Sequence, residues 1–342
     1  MIKQFVSGIA SSPAFGKFVS LLENSAGERE NLLRVLTYHR VDEVDAHPWL
    51  DPGLISAAPE IFAQQMKYLA ANYEPVSALD VVRAFEEENP VGLPRRAVLV
   101  TFDDAYCDFA EHAWPILKQN RIPVILFVPT AFPDHPERLF WWDRLFHAFR
   151  TTSREELSTP VGQFSLSTAR QRAEAYKSLK NHFKTVPHEQ AIAEVNRICN
   201  DLDVVPQQNI VLSWSRLKSL ASEGVTLGAH TQNHPIMNCV TLDELESEVR
   251  GSLRDLTNQI GSPPLTFAYP SGIHNKAAVG AVERAGFRLA FTTRRGLNEV
   301  GRADRLRLQR INVGARTTLP VLRAQLLSWS RPVHSLSNRL SS

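Results

Sequence analysis

Ala97-Val98-Leu99-Val100-Thr101-Phe102-Asp103-Asp104 is the stretch on which the fold turns. Its first six residues form a short apolar run rich in β-branched side chains, with no polar face. Such a run suits a strand covered on both sides, as in a parallel sheet sheathed by helices. It ends abruptly in two adjacent carboxylates. Similar runs occur at residues 33–38, 124–128, 225–229, 265–269 and 289–292, and a closing strand is expected at 306–313. Between them lie helical patterns at 59–72, 79–87, 109–119, 242–260 and 276–285, the last stopped by Gly286. Strand and helix alternate, which argues for a parallel α/β sheet in one large domain.

The chemistry collects at strand ends. Asp103 and Asp104 follow one strand, and His230 follows another with His234 four residues on. Tyr269-Pro270-Ser271-Gly272 follows a third, and His39-Arg40 a fourth. In α/β barrels the active site is assembled at the C-terminal ends of the strands, so these four could share one mouth. An Asp-Asp pair alone is usually a turn or helix cap, and His-x-x-x-His alone is weak evidence. Together they offer one carboxylate and two imidazoles, an open three-ligand set with room for water and substrate. A divalent ion held there lowers the pKa of water towards about 7, and the second carboxylate can take the proton. Pro235 argues that the His230–His234 segment is a loop or a single turn. Two histidines and one carboxylate is also the signature of non-heme iron oxygenases, although the Asp-Asp pair and the strand-end pattern argue against that class.

Thr101-Phe102-Asp103-Asp104, His230-Thr231-Gln232-Asn233-His234 and Phe267-Ala268-Tyr269-Pro270-Ser271-Gly272 resemble, in order, the motifs of the polysaccharide deacetylase family, the NodB-homology or carbohydrate esterase family 4 group. Leu36-Thr37-Tyr38-His39-Arg40-Val41 further resembles its poly-β-1,6-N-acetylglucosamine deacetylase branch. The resemblance implies a distorted (β/α)7 TIM-like barrel and hydrolysis of N-acetyl groups on an amino-sugar glycan. It implies Asp103 as the base and Asp104, His230 and His234 as metal ligands, with Zn2+ favoured and Co2+, Ni2+ or Fe2+ as alternatives. It also implies that the backbone near Tyr269, Pro270 and Ser271 contacts the acetyl oxygen. Two departures stand out. Ala268 occupies the place where many members carry an arginine bonded to the base, and the closing strand has no histidine to act as general acid. Arg310, grouped with the substrate-binding candidates, is also the candidate replacement for the missing arginine, and His39 is the candidate proton donor. Loss of the acid leaves a catalytically degenerate glycan binder as the alternative function.

Net charge is +2, with 38 basic against 36 acidic residues, and carries no electrostatic footprint for nucleic acid. The three cysteines lack metal or redox spacing, so a reducing compartment is expected, the cytoplasm or its membrane face. Cys107 reads as a small core residue. No apolar run is long enough to span a bilayer. Residues 1–30 read as a leading helical segment, with a helix lying on a membrane surface as the alternative. The catalytic domain is expected over 31–325, and 326–342 as a loose polar tail. Residues 134–208 interrupt the rhythm as a helical insertion with no evident strand. Its aromatic entry, Phe140-Trp141-Trp142, suggests packing onto the barrel, with a sugar-stacking wall as the functional alternative.

Overall fold

The structure is a computed structural model describing residues 16, 19, 30–86, 92–204 and 210–328. The leading helical segment and the polar tail therefore fall almost wholly outside the described residues. Seven parallel strands close a barrel: β1 (Leu32–Tyr38), β2 (Ala97–Phe102), β3 (Val124–Val128), β4 (Thr226–Ala229), β5 (Thr266–Ala268), β6 (Leu289–Arg295) and β7 (Leu308–Asn312). Each pairs with its neighbour in sequence, and β1 closes the ring against both β2 and β7. The crossovers carry α1 (Pro59–Asn72), α2 (Ala78–Ala84), α3 (Trp114–Gln119), α4 (Trp141–Thr151), α5 (Ala169–His182), α6 (His188–Asp201), α7 (Trp214–Ser222), α8 (Leu242–Ile260) and α9 (Lys276–Arg284); α10 (Leu319–Leu326) follows β7. The expected 109–119 helix begins as a π-helical turn at Phe109–Ala113 before α3. This is the distorted (β/α)7 architecture.

Alternation along the strands explains both core and site. Leu33, Val35, Leu99, Ile125, Phe127, Ala268, Phe291 and Leu308 fill one apolar cluster within the barrel. Their neighbours Leu36, Val100, Leu126, Phe267 and Ile311 belong to the cluster under the helices. Continued outward by twos, the inner row of β1 reaches His39, that of β2 reaches Asp103, that of β4 reaches His230, and that of β7 passes through Arg310. The same two-residue period that builds the core thus carries four polar side chains to one end.

Between β3 and β4 the chain leaves the barrel to form α4, α5 and α6 around their own apolar cluster, which includes Phe140, Trp141 and Trp142. The insertion was expected to lack strands, but Glu156–Thr159 and Gly162–Ser165 pair as an antiparallel hairpin. Its strands alternate at only four residues each, with mostly exposed polar side chains, so no apolar run marks them. No helix among the described residues is long and apolar enough to cross a membrane.

Candidate active site

Each of the three motifs turns through a left-handed backbone at residues other than glycine: Asp104 (φ 72°), Ala105 (53°), Thr231 (63°), His234 (56°) and Ser271 (53°). Such conformations are costly and cluster at functional sites. At Asp104 the purpose is geometric. Asp103 already points inward, so its successor on an extended chain would point away. The positive φ swings Asp104 back. Its Oδ1 then lies 3.6 Å from His230 Nε2 and 3.4 Å from His234 Nε2.

The three side chains are buried, and their ligand atoms lie within 4.8 Å of one another. Asp104 Oδ1 has no hydrogen-bond partner, a costly condition for a buried carboxylate oxygen. His230 Nδ1 meets the Ala268 carbonyl at 2.7 Å. Only an N–H can serve that acceptor, so Nε2 is left bare and aimed at Asp104. Tetrahedral zinc with ligand bonds of about 2.0–2.1 Å separates its ligand atoms by about 3.4 Å. The donor set therefore fits such an ion. Burial pushes His230 and His234 down, and pushes Asp104 well above the usual carboxylate range with help from Asp103 and Asp143.

Asp103 is held differently. Arg310 grips it from β7 through both terminal guanidinium nitrogens, at 2.8 Å to Oδ1 and 2.8 Å to Oδ2. Arg310 Nε donates to the Thr292 carbonyl at 2.8 Å. Burial would raise Asp103, but Arg310, then His230 and His39, outweigh it and hold the carboxyl well below its ordinary range. Arg310 is fully buried behind Asp103. It is placed to hold Asp103 and not, as its grouping with the substrate-binding candidates would have it, at an exposed substrate surface. His39 Nε2 stands 3.9 Å from Asp103 Oδ2. Burial pushes its ring down to about 4, with Arg310, His230 and Lys180 acting the same way against Asp103. The 27% of the side chain that stays open softens that push.

The third motif is only partly available. Tyr269 is buried; its hydroxyl donates to the Leu306 carbonyl at 3.0 Å and its N–H to the Phe291 carbonyl at 3.0 Å. Pro270 has no N–H. Of the three residues expected there, Ser271 is the one that carries an N–H and is half-buried instead of buried. Gly272 (φ 70°) is obligatory, because a Cβ there would lie 2.1 Å from Thr293 Oγ1 and 2.3 Å from Thr293 N.

A supporting shell escaped the sequence reading. Glu248 of α8 accepts from the Gln232 and Asn233 N–H groups at 2.8 and 2.9 Å, pinning the His230–His234 loop. Asp255, a turn or two further along, accepts from Gln232 Nε2 and Thr130 Oγ1, both at 2.7 Å. From the insertion, Trp142 packs edge-on against His234 with ring centroids 4.8 Å apart. Its Nε1 donates to Tyr106 Oη at 3.1 Å, and Tyr106 donates to Asp143 Oδ2 at 2.6 Å. Phe140, Trp141 and Trp142 are buried, so the aromatic entry is packing that backs a histidine and not an exposed sugar platform. The i, i+7 spacing of Glu248 and Asp255 on the polar side of α8 was the available signal. Cys107 packs against the barrel core, its thiol raised to about 11 chiefly by burial.

A closed seven-stranded barrel thus carries at its mouth a buried Asp-His-His set that could hold a metal ion, beside an arginine-held carboxylate. Residues 91–290 match the family model for polysaccharide deacetylase, more than half the chain. The chain belongs to the polysaccharide deacetylase family and is a hydrolase of that class. The poly-β-1,6-N-acetyl-D-glucosamine N-deacetylase of Escherichia coli K12 is 29% identical over 102 residues, covering 30% of this chain and 14% of that one, so the match spans a small part of that relative. The Streptococcus pyogenes deacetylase PplD, solved with acetate, is 19% identical with a TM-score of 0.59, covering 87% of this chain and 99% of that one. IcaB from Ammonifex degensii is 20% identical with a TM-score of 0.56, covering 86% and 97%. At these identities the two structures speak for the fold.

Proposed function

We propose that this chain removes N-acetyl groups from amino sugars of a polysaccharide or lipid-linked glycan, with Asp103 as general base and Asp104, His230 and His234 as metal ligands. The observation that carries the reading is the buried, partnerless Asp104 oxygen facing the Nε2 atoms of His230 and His234, with an arginine-held carboxylate as the preceding residue in the chain. A divalent ion, zinc first and cobalt, nickel or iron as alternatives, supplies Lewis acidity and makes water acidic enough to attack near neutrality.

The remaining roles fall to the chain. Arg310 keeps Asp103 ionised and fixes its plane, so the carboxylate is ready to take a proton from the attacking water. The Ser271 N–H donates to the developing oxyanion. His39 is unprotonated near neutrality, so it serves as an acid only after receiving the proton collected at Asp103, and then passes it to the leaving amine. The test is to purify the protein, determine its metal and assay acetate release from N-acetylglucosamine oligomers. Asp103→Asn should keep the metal and lose turnover; His230→Ala should lose both. A folded His39→Ala enzyme with near-full turnover would end the relay role. Metal retained without acetate release from any acetylated sugar would favour a glycan binder over an enzyme.

A further inference from the structure

The insertion holds an open groove of about 560 Å³ between α4 and α5, within the range of small-ligand sites. Its walls are the i, i+3, i+4 stripes of the two helices. Phe146 and Phe149 face Ala169, Ala173 and Tyr176, and Arg150 and Arg172 complete the lining. The helices run in opposite directions here, because Phe146 meets Tyr176 edge-on at 5.4 Å while Trp141, earlier on α4, meets Phe183, just past the end of α5, at 6.1 Å.

Both helices begin this path at the barrel mouth. On α4, Trp142 packs on His234. On α5, Lys180 pairs with Asp51, which also takes the Tyr176 hydroxyl at 2.6 Å, and the Asp51 N–H donates to Oδ1 of Asp143, the residue after Trp142, at 2.9 Å. Arg150 lies eight residues beyond Trp142 and Arg172 eight residues from Lys180. At 1.5 Å per residue each arginine is about 12 Å along its helix from the mouth. Two independent measures thus put the cationic end of the groove at the same remove, with an aromatic floor between.

We propose that this groove is a distal glycan subsite, which takes a short oligosaccharide running from the mouth over the aromatic floor to an anionic group held by Arg150 and Arg172. This deepens, and rests on, the reading of the barrel mouth as an amino-sugar deacetylase site. The chemistry of the lining selects the ligand. Arg172 Nε donates to the Leu166 carbonyl at 2.7 Å, and neither arginine has a carboxylate partner among the described residues. Guanidinium groups only donate, and the lining offers no carboxylate or amide oxygen to accept from sugar hydroxyls. A ligand must therefore bring acceptors of its own, and a sugar carboxylate or phosphate matches the forked donors. The order of features excludes the reverse arrangement. A lipid carrier joined to the reacting sugar through phosphate would place its anion next to the mouth and its apolar chain beyond, whereas here the apolar floor comes first.

The experiment is calorimetric titration of the full chain, zinc-loaded, with four probes: a neutral N-acetylglucosamine tetramer, a hyaluronan tetrasaccharide, an N-acetylglucosamine tetramer bearing a terminal phosphate, and decyl phosphate. At least one anionic tetrasaccharide should bind about tenfold or more tighter than the neutral one. The two anionic arms tell a carboxylate from a phosphate. Arg150→Glu should abolish the gain, and Ala173→Trp, which fills an exposed position in the groove, should do the same. Unchanged zinc stoichiometry and thermal unfolding establish that these variants fold. Equal binding of neutral and anionic tetramers, a gain that survives Arg150→Glu, or tighter binding of decyl phosphate overturns the subsite. Acetate release is read separately. Release without anion preference sinks the subsite alone, and anion-selective binding without release sinks the catalytic reading alone.

Discussion

Replacing Arg310 by methionine removes a guanidinium of similar reach and leaves Asp103 without its two 2.8 Å hydrogen bonds. Both partners are buried, at 0% and 4% side-chain exposure, so the loss is that of one member of a buried pair, about 3–5 kcal/mol. The pH dependence follows. With Arg310 present, the folded pKa of Asp103 lies below its unfolded value, so its contribution to stability is complete above about pH 4. That contribution fades as pH falls through the folded pKa. Without Arg310, burial, the largest influence on the carboxyl, pushes it upward with its main opponent gone. Asp103 should then bring an acid limb of kcat/KM for acetate release into the range above about pH 4, where the Arg310-held carboxyl gives none. The assay is a pH profile from 4 to 9 on protein of verified metal content, alongside urea unfolding of Asp103→Asn, Arg310→Met and the double variant. The double variant should be more stable than the sum of the single losses predicts, because it leaves no orphaned charge. Additive losses, or an acid side of the profile unchanged from wild type, would refute the argument that Arg310 tunes Asp103.

The remaining outcomes concern the support around the site. Gly251→Ala puts a Cβ 2.0 Å from Gln232 Oε1, so Gln232 must leave Asp255; about 1–3 kcal/mol of stability should go, with weaker zinc binding in a chelator competition. Tyr106→Phe deprives buried Asp143 of its 2.6 Å donor and Trp142 of its acceptor; a cost of about 1–3 kcal/mol is expected in urea unfolding, again with looser metal binding. Asp143 is raised to about 6, chiefly by burial, so it binds its proton more tightly when folded. Its contribution to stability therefore falls as pH rises from about 4 through 6, and Asp143→Asn should flatten that part of the stability profile between pH 4 and 7.

The barrel was legible because its signal is local. β2, β3, α1 and α8 occupy the spans expected of them, since each carries either an unbroken β-branched run or a helical stripe long enough to exclude the alternative. Where the signal was brief it failed: the hairpin at Glu156–Thr159 and Gly162–Ser165 has four-residue strands held mainly by backbone pairing. The residues of the candidate site were legible for a related reason. Asp103, Asp104, His230 and His234 sit where apolar strands stop, and a charged group at the end of a buried run needs an explanation. Glu248, Asp255, Tyr106 and Asp143 were not legible, because a polar residue on a helix or in a loop needs none. Their partners are distant in sequence, Asp143 lying 37 residues from Tyr106.

Arg310 stands between these cases. In the motif of the third strand its absence looked like a lost function, with Ala268 in its place. Yet the two-residue period of β7 puts Arg310 in the inner row with Leu308. A buried arginine in that row must find a carboxylate. Among the inner rows that run from β1, β2, β4 and β7 to the mouth, Asp103 is the one residue that offers it. The barrel's closure of β7 against β1, and of β1 against β2, brings those rows together. What the third motif supplies in many relatives through local sequence is thus supplied here through topology, and a motif scan that reads each strand alone would score as missing a contact that the closed barrel makes.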